Sequence, residues 1–340
     1  MRPLLFKAIA LTLLLVTTVV MKAQPLEKKF EKRFTVDCTT NLNVSHQFGT
    51  LKIIPTKGQE IEIKAVAKIE AKNAKKAQII LDGIDIKMTQ SGKNVTIKTS
   101  LNESNNDVKE MDISMEISVP ECITANIKHR FGNLILPNYS GELDIDLEFG
   151  ALSAGIIKNK NNKISLKFSK PSQIDETGEV ELKMRFSELT ITEATKVALN
   201  SQYSTIEIET NPAMIGKSQF DKIEIGRVAV IDLNSRYTEL KIKELNGIGR
   251  FDLKFGSLNI DMVKEGFKEL DFTADYTNIK IGLEKHTGFS FDANASFTSI
   301  RVPFPVKSTK SVNNEHATAN FGNEATIKAK LKFGDFRIKK

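Results

Sequence analysis

Hydrophobic and polar positions alternate along most of this chain, and the alternation is broken at regular intervals by one short phrase. An aromatic residue is followed by Gly, Ser or Thr, a spacer and two alternating aliphatics. Clear copies are Phe48-Gly49-Thr50-Leu51-Lys52-Ile53, Phe186-Ser187-Glu188-Leu189-Thr190-Ile191 and Tyr237-Thr238-Glu239-Leu240-Lys241-Ile242. After Phe48, the aromatics of this register stand at Phe131, Phe149, Phe168, Phe186, Tyr203, Phe220, Tyr237, Phe255, Tyr276, Phe297 and Phe333. From Phe131 on they are 18, 19, 18, 17, 17, 17, 18, 21, 21 and 36 residues apart, the last interval reading as two units with one aromatic missing. The copies at Phe149, Phe168 and Phe220 are degenerate, with Ala154, Pro171 and Asp221 in the repeat slots. Units this short cannot bury an apolar face alone and must stack on their neighbours, as in a solenoid.

Within one unit the residues at −4 and −2 from the aromatic are apolar or small, as Ile145 and Leu147 are before Phe149. Period two places them on one strand face, and the aromatic continues the parity. The next apolar positions are +3 and +5, for example Leu258 and Ile260. Parity therefore switches, and a corner at the Gly, Ser or Thr would return both sets to one interior. Each unit reads as strand, corner, strand, turn. The expected fold is all-β, a right-handed single-stranded β-helix with coils of about 18–21 residues. At about 4.8 Å per coil, the units after residue 120 make a rod on the order of 50 Å long. The aromatics are expected to stack inside the core, the alternative being a row of exposed rings for sugar stacking. Ala65 to Ile80, with Ala67, Ala71, Ala74 and Ala77, reads as one short amphipathic helix.

The expected division is 1–23 signal peptide, 24–120 N-terminal β region and 121–340 solenoid repeats continuous with it. Arg2 and Lys7 precede an apolar run from Ala8 to Val20, and Ala23 precedes Gln24. The run is shorter than the roughly 20 residues of a transmembrane helix, so it reads as a cleaved secretory signal. Removing Arg2, Lys7 and Lys22 lowers the formal charge from +7 to +4. No basic cluster with interleaved aromatics remains, which excludes a nucleic-acid partner. No second apolar segment or lipobox cysteine is apparent. The expected location is periplasmic or secreted, with the protein soluble after cleavage and without an integral membrane segment.

The 340 residues include 2 cysteines and 4 histidines. Cys38 and Cys122 lie 10 and 9 residues ahead of the Phe48-Gly49 and Phe131-Gly132 corners, with His46 and His129 at −2 in each. Matching flanks put the cysteines in equivalent slots of neighbouring coils, within reach of a disulfide in an oxidising compartment. Two separate buried thiols are the alternative. The histidine pair could in principle share a metal, but no further ligand falls nearby, so stacked, hydrogen-bonded histidines are expected and no metal or cofactor. His286 and His316 lack matching neighbours.

No residue pattern marks a catalytic centre. Gly247-Ile248-Gly249 is a lone Gly-x-Gly. Asp144, Asp146 and Glu148 share a strand face as paired glycosidase carboxylates might, but the same alternation describes any solvated face.

Phe34 to Phe48, the Ile61-Glu62-Ile63-Lys64-Ala65 and Val95-Thr96-Ile97 strands, Ile117-Ser118-Val119-Pro120 and Phe131-Gly132-Asn133-Leu134 stand ahead of the repeated coils. Together they resemble the bacterial putative-adhesin β-strand-repeat family of unknown function, which is related in appearance to head domains of autotransporter adhesins. The resemblance runs from about residue 30 to the end of the chain. It implies adhesion and brings no functional residues with it. The expected function is a non-enzymatic scaffold or adhesin-like binding module of the bacterial envelope, with an unidentified protein or glycan partner. A carbohydrate-active β-helix enzyme and an envelope-stress sensing partner protein are the alternatives.

Overall fold

The computed structural model describes residues 25–101, 108–285, 288–322 and 324–339. The signal segment 1–23 and His286 lie outside the described residues.

Strand segments before each corner stack in one parallel row, and those after it stack in a second. Asn41–Gln47, Thr124–Arg130, Leu143–Glu148 and Asn162–Lys167 make the first rungs of one row. Leu51–Thr56, Leu134–Tyr139 and Leu152–Ile157 begin the other. From Ser172 the strands lengthen, and Glu188–Gln202, Thr205–Gln219 and Lys222–Arg236 each run from one corner to the next. Cognate residues lie directly over one another, His129 beside Leu147 and Leu147 beside Leu166. Such a long, open, strand-rich stack is the all-β solenoid that the repeat predicts. Apolar rows at −4, −2, +3 and +5 fill the interior: Ile145, Leu147, Leu258 and Ile260 are all buried.

The aromatics are not in that core. All twelve have positive φ, from 49° to 63°. Ten are between 39 and 54 % exposed, while Phe48 and Phe333 are half-buried. The expectation of an internal stack is therefore corrected for Phe48, Phe131, Phe149, Phe168, Phe186, Tyr203, Phe220, Tyr237, Phe255, Tyr276, Phe297 and Phe333. The αL backbone lies at the aromatic itself, and of the small residues after the rings only Gly49 and Gly334 have positive φ. A residue in αL leaves the two-residue period of the strand, so its side chain turns outward and the following residue turns in. Ser169, Ser187, Ser204, Asp221, Thr238 and Thr277, each one residue after a ring, are buried. At Gly132 and Gly150 a Cβ would collide with the carbonyl oxygen of the preceding coil, so the first corners admit only glycine.

Three other expectations change. Glu60–Ala71 is a strand burying Ala65, Ala67, Ile69 and Ala71 with period two, and the helix is only Ala74–Asp82. Asn73 caps that helix by accepting from the Lys76 N–H at 2.9 Å. The 36-residue interval hides no coil. The terminal strand Ala325–Lys339 inserts between Glu269–Leu283 and Phe289–Ser296, making Phe333 the neighbour of both Tyr276 and Phe297. At the Phe168 corner Pro171 is an added residue. Ser172 stands in register with Leu189 and its Oγ accepts from the Leu152 N–H at 3.1 Å.

Both ends of the rod carry antiparallel strands. Leu26–Thr35 pairs antiparallel to Glu60–Ala71, which pairs antiparallel to Val108–Pro120. Lys28 and Lys32 reach from the outer strand to the Ile84 and Met88 carbonyls at 3.0 and 2.8 Å, closing that end. At the other end Asn314–Asn320 and Lys307–Lys310 pair antiparallel beyond Phe289–Ser296. Phe304 packs edge-on against Phe289, Phe291 and Phe321 there. Short, charged or antiparallel outer strands keep a parallel stack from adding further rungs.

Two outcomes follow. Leu189→Ala should cost about 2–5 kcal/mol as a core deletion, and Phe186→Ala less. At position 186 Gly should be more stable than Ala by about 1 kcal/mol, the reverse of an ordinary strand position, because Ala retains the αL penalty. Urea unfolding of the three variants measures this, and Ala above Gly at 186 would contradict the corner geometry. Asn211 is fully buried in register with Val228, and neither of its side-chain polar atoms has a protein partner among the described residues. Asn211→Val should raise stability by about 1–2 kcal/mol; a lower urea midpoint would show that the amide is bonded.

Candidate binding surface

The corners line up as one ladder along the rod. Successive ring centroids lie 4.5–5.3 Å apart with interplanar angles of 4–16°, from Phe48 through Tyr276 to Phe333 and Phe297. Ring spacing is set by coil spacing, since parallel rungs repeat at about 4.8 Å. Each interior ring therefore has both faces covered by its neighbours, and only its edge meets solvent. Aromatic edges carry the positive part of the ring quadrupole. A ligand cannot stack on these rings along the ladder, but it can lie against a ridge of weakly electropositive edges.

Beneath the rings runs a second, polar ladder. The N–H groups of Ser169 and Ser187 donate to the Oγ atoms of Ser187 and Ser204 at 3.1 and 3.2 Å. The Ser204 N–H donates to Asp221 Oδ1 at 2.7 Å, and the Asp221 N–H to Thr238 Oγ1 at 3.4 Å. The hydroxyls of Ser187, Ser204 and Thr238 donate in turn to the carbonyls of Arg185, Gln202 and Arg236. Ser187, Ser204 and Thr238 thus each satisfy an amide of the coil before and a carbonyl of their own. Asp221 can only accept when ionised, and it takes the Ser218 hydroxyl at 2.6 Å and the Gln219 N–H at 3.0 Å. Burial raises its pKa above the ordinary value.

The structure joins Cys38 to Cys122, with Cα atoms 5.3 Å apart, tying the first two corner-bearing coils together. His46 and His129 stack above this link, ring centroids 5.1 Å apart and 9° from parallel. His46 Nε2–H donates to the Ile113 carbonyl at 2.7 Å, which leaves Nδ1 to accept from the Thr99 hydroxyl at 2.8 Å. His129 Nε2 lies 3.1 Å from the Gly49 carbonyl. Burial, then the neighbouring His129, lowers the His46 pKa to about 4, and burial lowers that of His129 as well. No group of three or more His, Cys, Asp or Glu among the described residues is placed to hold a metal. His316 stands elsewhere, its Nε2 3.0 Å from Asp292 Oδ1.

The three acidic side chains do not converge on one another. Asp146 pairs with Lys167 at 3.1 Å and Glu148 with Arg130 at 3.0 Å, each on an adjoining coil, while Asp144 is exposed. Gly249 lies inside the strand Glu239–Val263, so Gly247-Ile248-Gly249 is not a phosphate loop.

Reading outward positions along the chain misses a further feature. At −3 and −1 from the rings, across successive coils, stand Lys183 and Arg185, Asn200 and Gln202, Lys217 and Gln219, then Asn234 and Arg236. Arg185 donates to Gln202 at 3.2 Å, and Gln202 to Gln219 at 3.3 Å. The signal for this row lies in comparing equivalent slots of the repeat, not in any linear motif. Among the described residues no helix is long and apolar enough to cross a membrane.

No protein-family model matches this chain, and no curated protein does. Several solved structures are similar over nearly the full length. A putative adhesin from Parabacteroides merdae is 10% identical, covering 92% of this chain and 97% of its own, with a TM-score of 0.37. A putative cell adhesion protein from Clostridium sporogenes is 13% identical over 92% and 99% of the two chains, with a TM-score of 0.22. A putative lipid binding protein from Parabacteroides distasonis is 8% identical over 92% and 97%, with a TM-score of 0.29.

The buried histidine makes the fold acid-sensitive. His46 is lowered from 6.5 to about 4, so the unfolded chain binds the proton first. Its contribution is complete above pH 6.5 and is lost as pH falls through the window down to about 4, up to about 3 kcal/mol in all. Asp221, with a raised pKa, acts in the opposite direction, so the measurement is a difference. Urea unfolding of wild type and His46→Gln at neutral pH and near pH 4 should show the smaller acid loss in the variant. Equal losses would place the acid sensitivity elsewhere.

Proposed function

We propose that this protein is an exported, non-enzymatic binding module, a rigid rod that seats its partner on the open sheet face beside the ring ladder. The observation that supports this most directly is the continuity of that surface. Twelve ring edges and the adjoining polar rows extend through successive coils in register, whereas catalysis needs acid, base and positioning groups converging on one point. Asp146 and Glu148 are each held by a cation of a neighbouring coil. The hollows along the rod are open and shallow, as suits an extended ligand rather than an engulfed small molecule. Covered ring faces weigh against the sugar-stacking alternative along the ladder, leaving hydrogen bonds and charge to hold a ligand. The N-terminal sequence 1–23 supports export, and the Cys38–Cys122 link suits an oxidising compartment.

A glycan and protein-partner screen of the purified mature chain, read for both binding and turnover, tests this reading. Binding without turnover is the expected result. Replacing Asp144 and Asp146 by Asn and Glu148 by Gln should leave the urea midpoint nearly unchanged and remove no activity. Degradation of any glycan that disappears in this triple variant would establish an enzyme instead.

A further inference from the structure

The ring ladder divides two faces of opposite character. On the side after the corners, the +2 and +4 rows of the coils from Phe186 to Tyr237 present Glu188, Glu207, Glu224 and Glu239 against Lys222 and Lys241. On the side before them, the −3 and −1 rows of the same coils carry Lys183, Arg185, Lys217 and Arg236 and no acid. In the adjoining coils stand Lys167 at one end and Lys254 with Asp252 at the other, the acid bonded by Asn234 at 3.0 Å. Lys167 and Lys183 are paired with Asp146 and Glu181. Arg185, Lys217, Arg236 and Lys254 make no ion pair among the described residues.

Two shallow hollows of about 420 and 270 Å³ adjoin here. The first is floored around Lys183, Arg185, Asn200 and Gln202, the second around Lys217, Gln219, Asn234 and Arg236; no acidic residue lines either. We propose that this face, centred on Arg185, Lys217 and Arg236, binds an extended acidic polysaccharide lying along the rod. The proposal rests on the binding-module reading above and names its ligand class.

Charge selects a polyanion: unpaired cations lie beside the electropositive ring edges on one face, and a carboxylate-rich row across the ridge repels it. The amides select a polyol. Asn200, Gln202, Gln219 and Asn234 each offer a donor and an acceptor, the pairing that sugar hydroxyls require. An acidic peptide would gain most by adding a strand to a sheet edge, but the rungs here are already paired on both sides. Single-stranded nucleic acid would need open ring faces for its bases, and the interior rings have none.

The full mature chain should be titrated with polygalacturonate and heparin as acidic glycans, dextran as a neutral one, and polyglutamate and single-stranded DNA as other polyanions. The test variant is Arg185→Gln with Lys217→Gln and Arg236→Gln. A control removes equal charge across the ladder through Lys222→Gln, Lys241→Gln and Lys280→Gln. Both sets are exposed or half-buried positions, and thermal unfolding confirms that each variant is folded. The acidic glycans should bind, and more weakly as salt rises. The test variant should lose about tenfold or more in affinity and the control about twofold or less. Equal losses in the two variants, no acidic-glycan binding, or equal affinity for polyglutamate or DNA would overturn the assignment. Dextran binding indifferent to the test variant would also overturn it while leaving a binding module. Cleavage of any probe would instead remove the reading on which it rests.

Discussion

Everything in this rod depends on a single backbone state repeated at every corner, an aromatic residue held in the left-handed region. That state costs a non-glycine residue roughly 1–2 kcal/mol, and it occurs at each of the twelve rings. Two interactions offset it. Outside, each ring covers the faces of its neighbours at the spacing of the coils. Inside, at the central corners, Ser187, Ser204 and Thr238 turn their hydroxyls into the stack and donate to a carbonyl of their own coil, while Ser187, Ser204, Asp221 and Thr238 each accept the amide of the coil before. Where a hydroxyl residue follows the ring, the two ladders are linked through one peptide; at Gly49, Gly132, Gly150, Gly256 and Gly334 the ring ladder continues without a hydroxyl. The corner is also where the two apolar faces, at −2 and +3, are brought to a common core. Side-chain size at the corner matters less than dihedral angle, which is why Tyr and Phe interchange freely while the next slot accepts only Gly, Ser, Thr and one Asp.

The Asp shows how tightly the inner ladder is specified. In place of a hydroxyl, Asp221 supplies an acceptor to the Ser204 amide but no proton for the Gln219 carbonyl. Ser218, whose hydroxyl points inward at the −2 slot, gives its proton to the carboxylate; the same slot holds Ser201 and Ser235 in the coils on either side and Leu147 or Leu253 elsewhere. A hydroxyl in an otherwise largely apolar row thus keeps the buried carboxylate bonded. The same constraint is met differently at the first corners. His46 and His129 occupy the −2 slots there and bond neighbouring carbonyls and a threonine, above a disulfide that holds the coils together.

The stacking and its register were legible in the sequence because period two and a recurring aromatic are both linear signals. Leu258 and Ile260, or Ile145 and Leu147, declare their faces without help from tertiary structure. Which way the rings point was not legible from parity alone. Positions −4, −2 and 0 share parity, and only a departure from strand geometry at 0 places Phe149 outside while Leu147 stays in. The odd interval between −2 and +3 contained the clue, since some residue between them had to leave the period; Ser and Thr in the slot after the ring show that the departure was not glycine's alone. The helix over Ala65 to Ile80 failed for a related reason. Alanines at 65, 67 and 71 fit a strand as well as a helix, and pairing with Leu26–Thr35 and Val108–Pro120 decided for the strand. The insertion of the last strand beside Glu269–Leu283 is a long-range choice that no local pattern records.

The surface rows illustrate a different kind of illegibility. In linear order, Arg185, Gln202, Lys217 and Arg236 are isolated polar residues in unrelated contexts. Stacking brings their backbones to one strand spacing and turns four scattered residues into a contiguous strip, Arg185 bonded to Gln202 and Gln202 to Gln219. The core cannot supply such a strip, because its rows are constrained to be apolar by burial, and the corner cannot, because its rows are constrained by dihedral angle. Only the outward strand positions are free to vary without cost to the fold. On a solenoid, function is therefore most readily written across the coils at those positions, and the charge difference between the two sides of the ladder has no counterpart in what the fold itself requires.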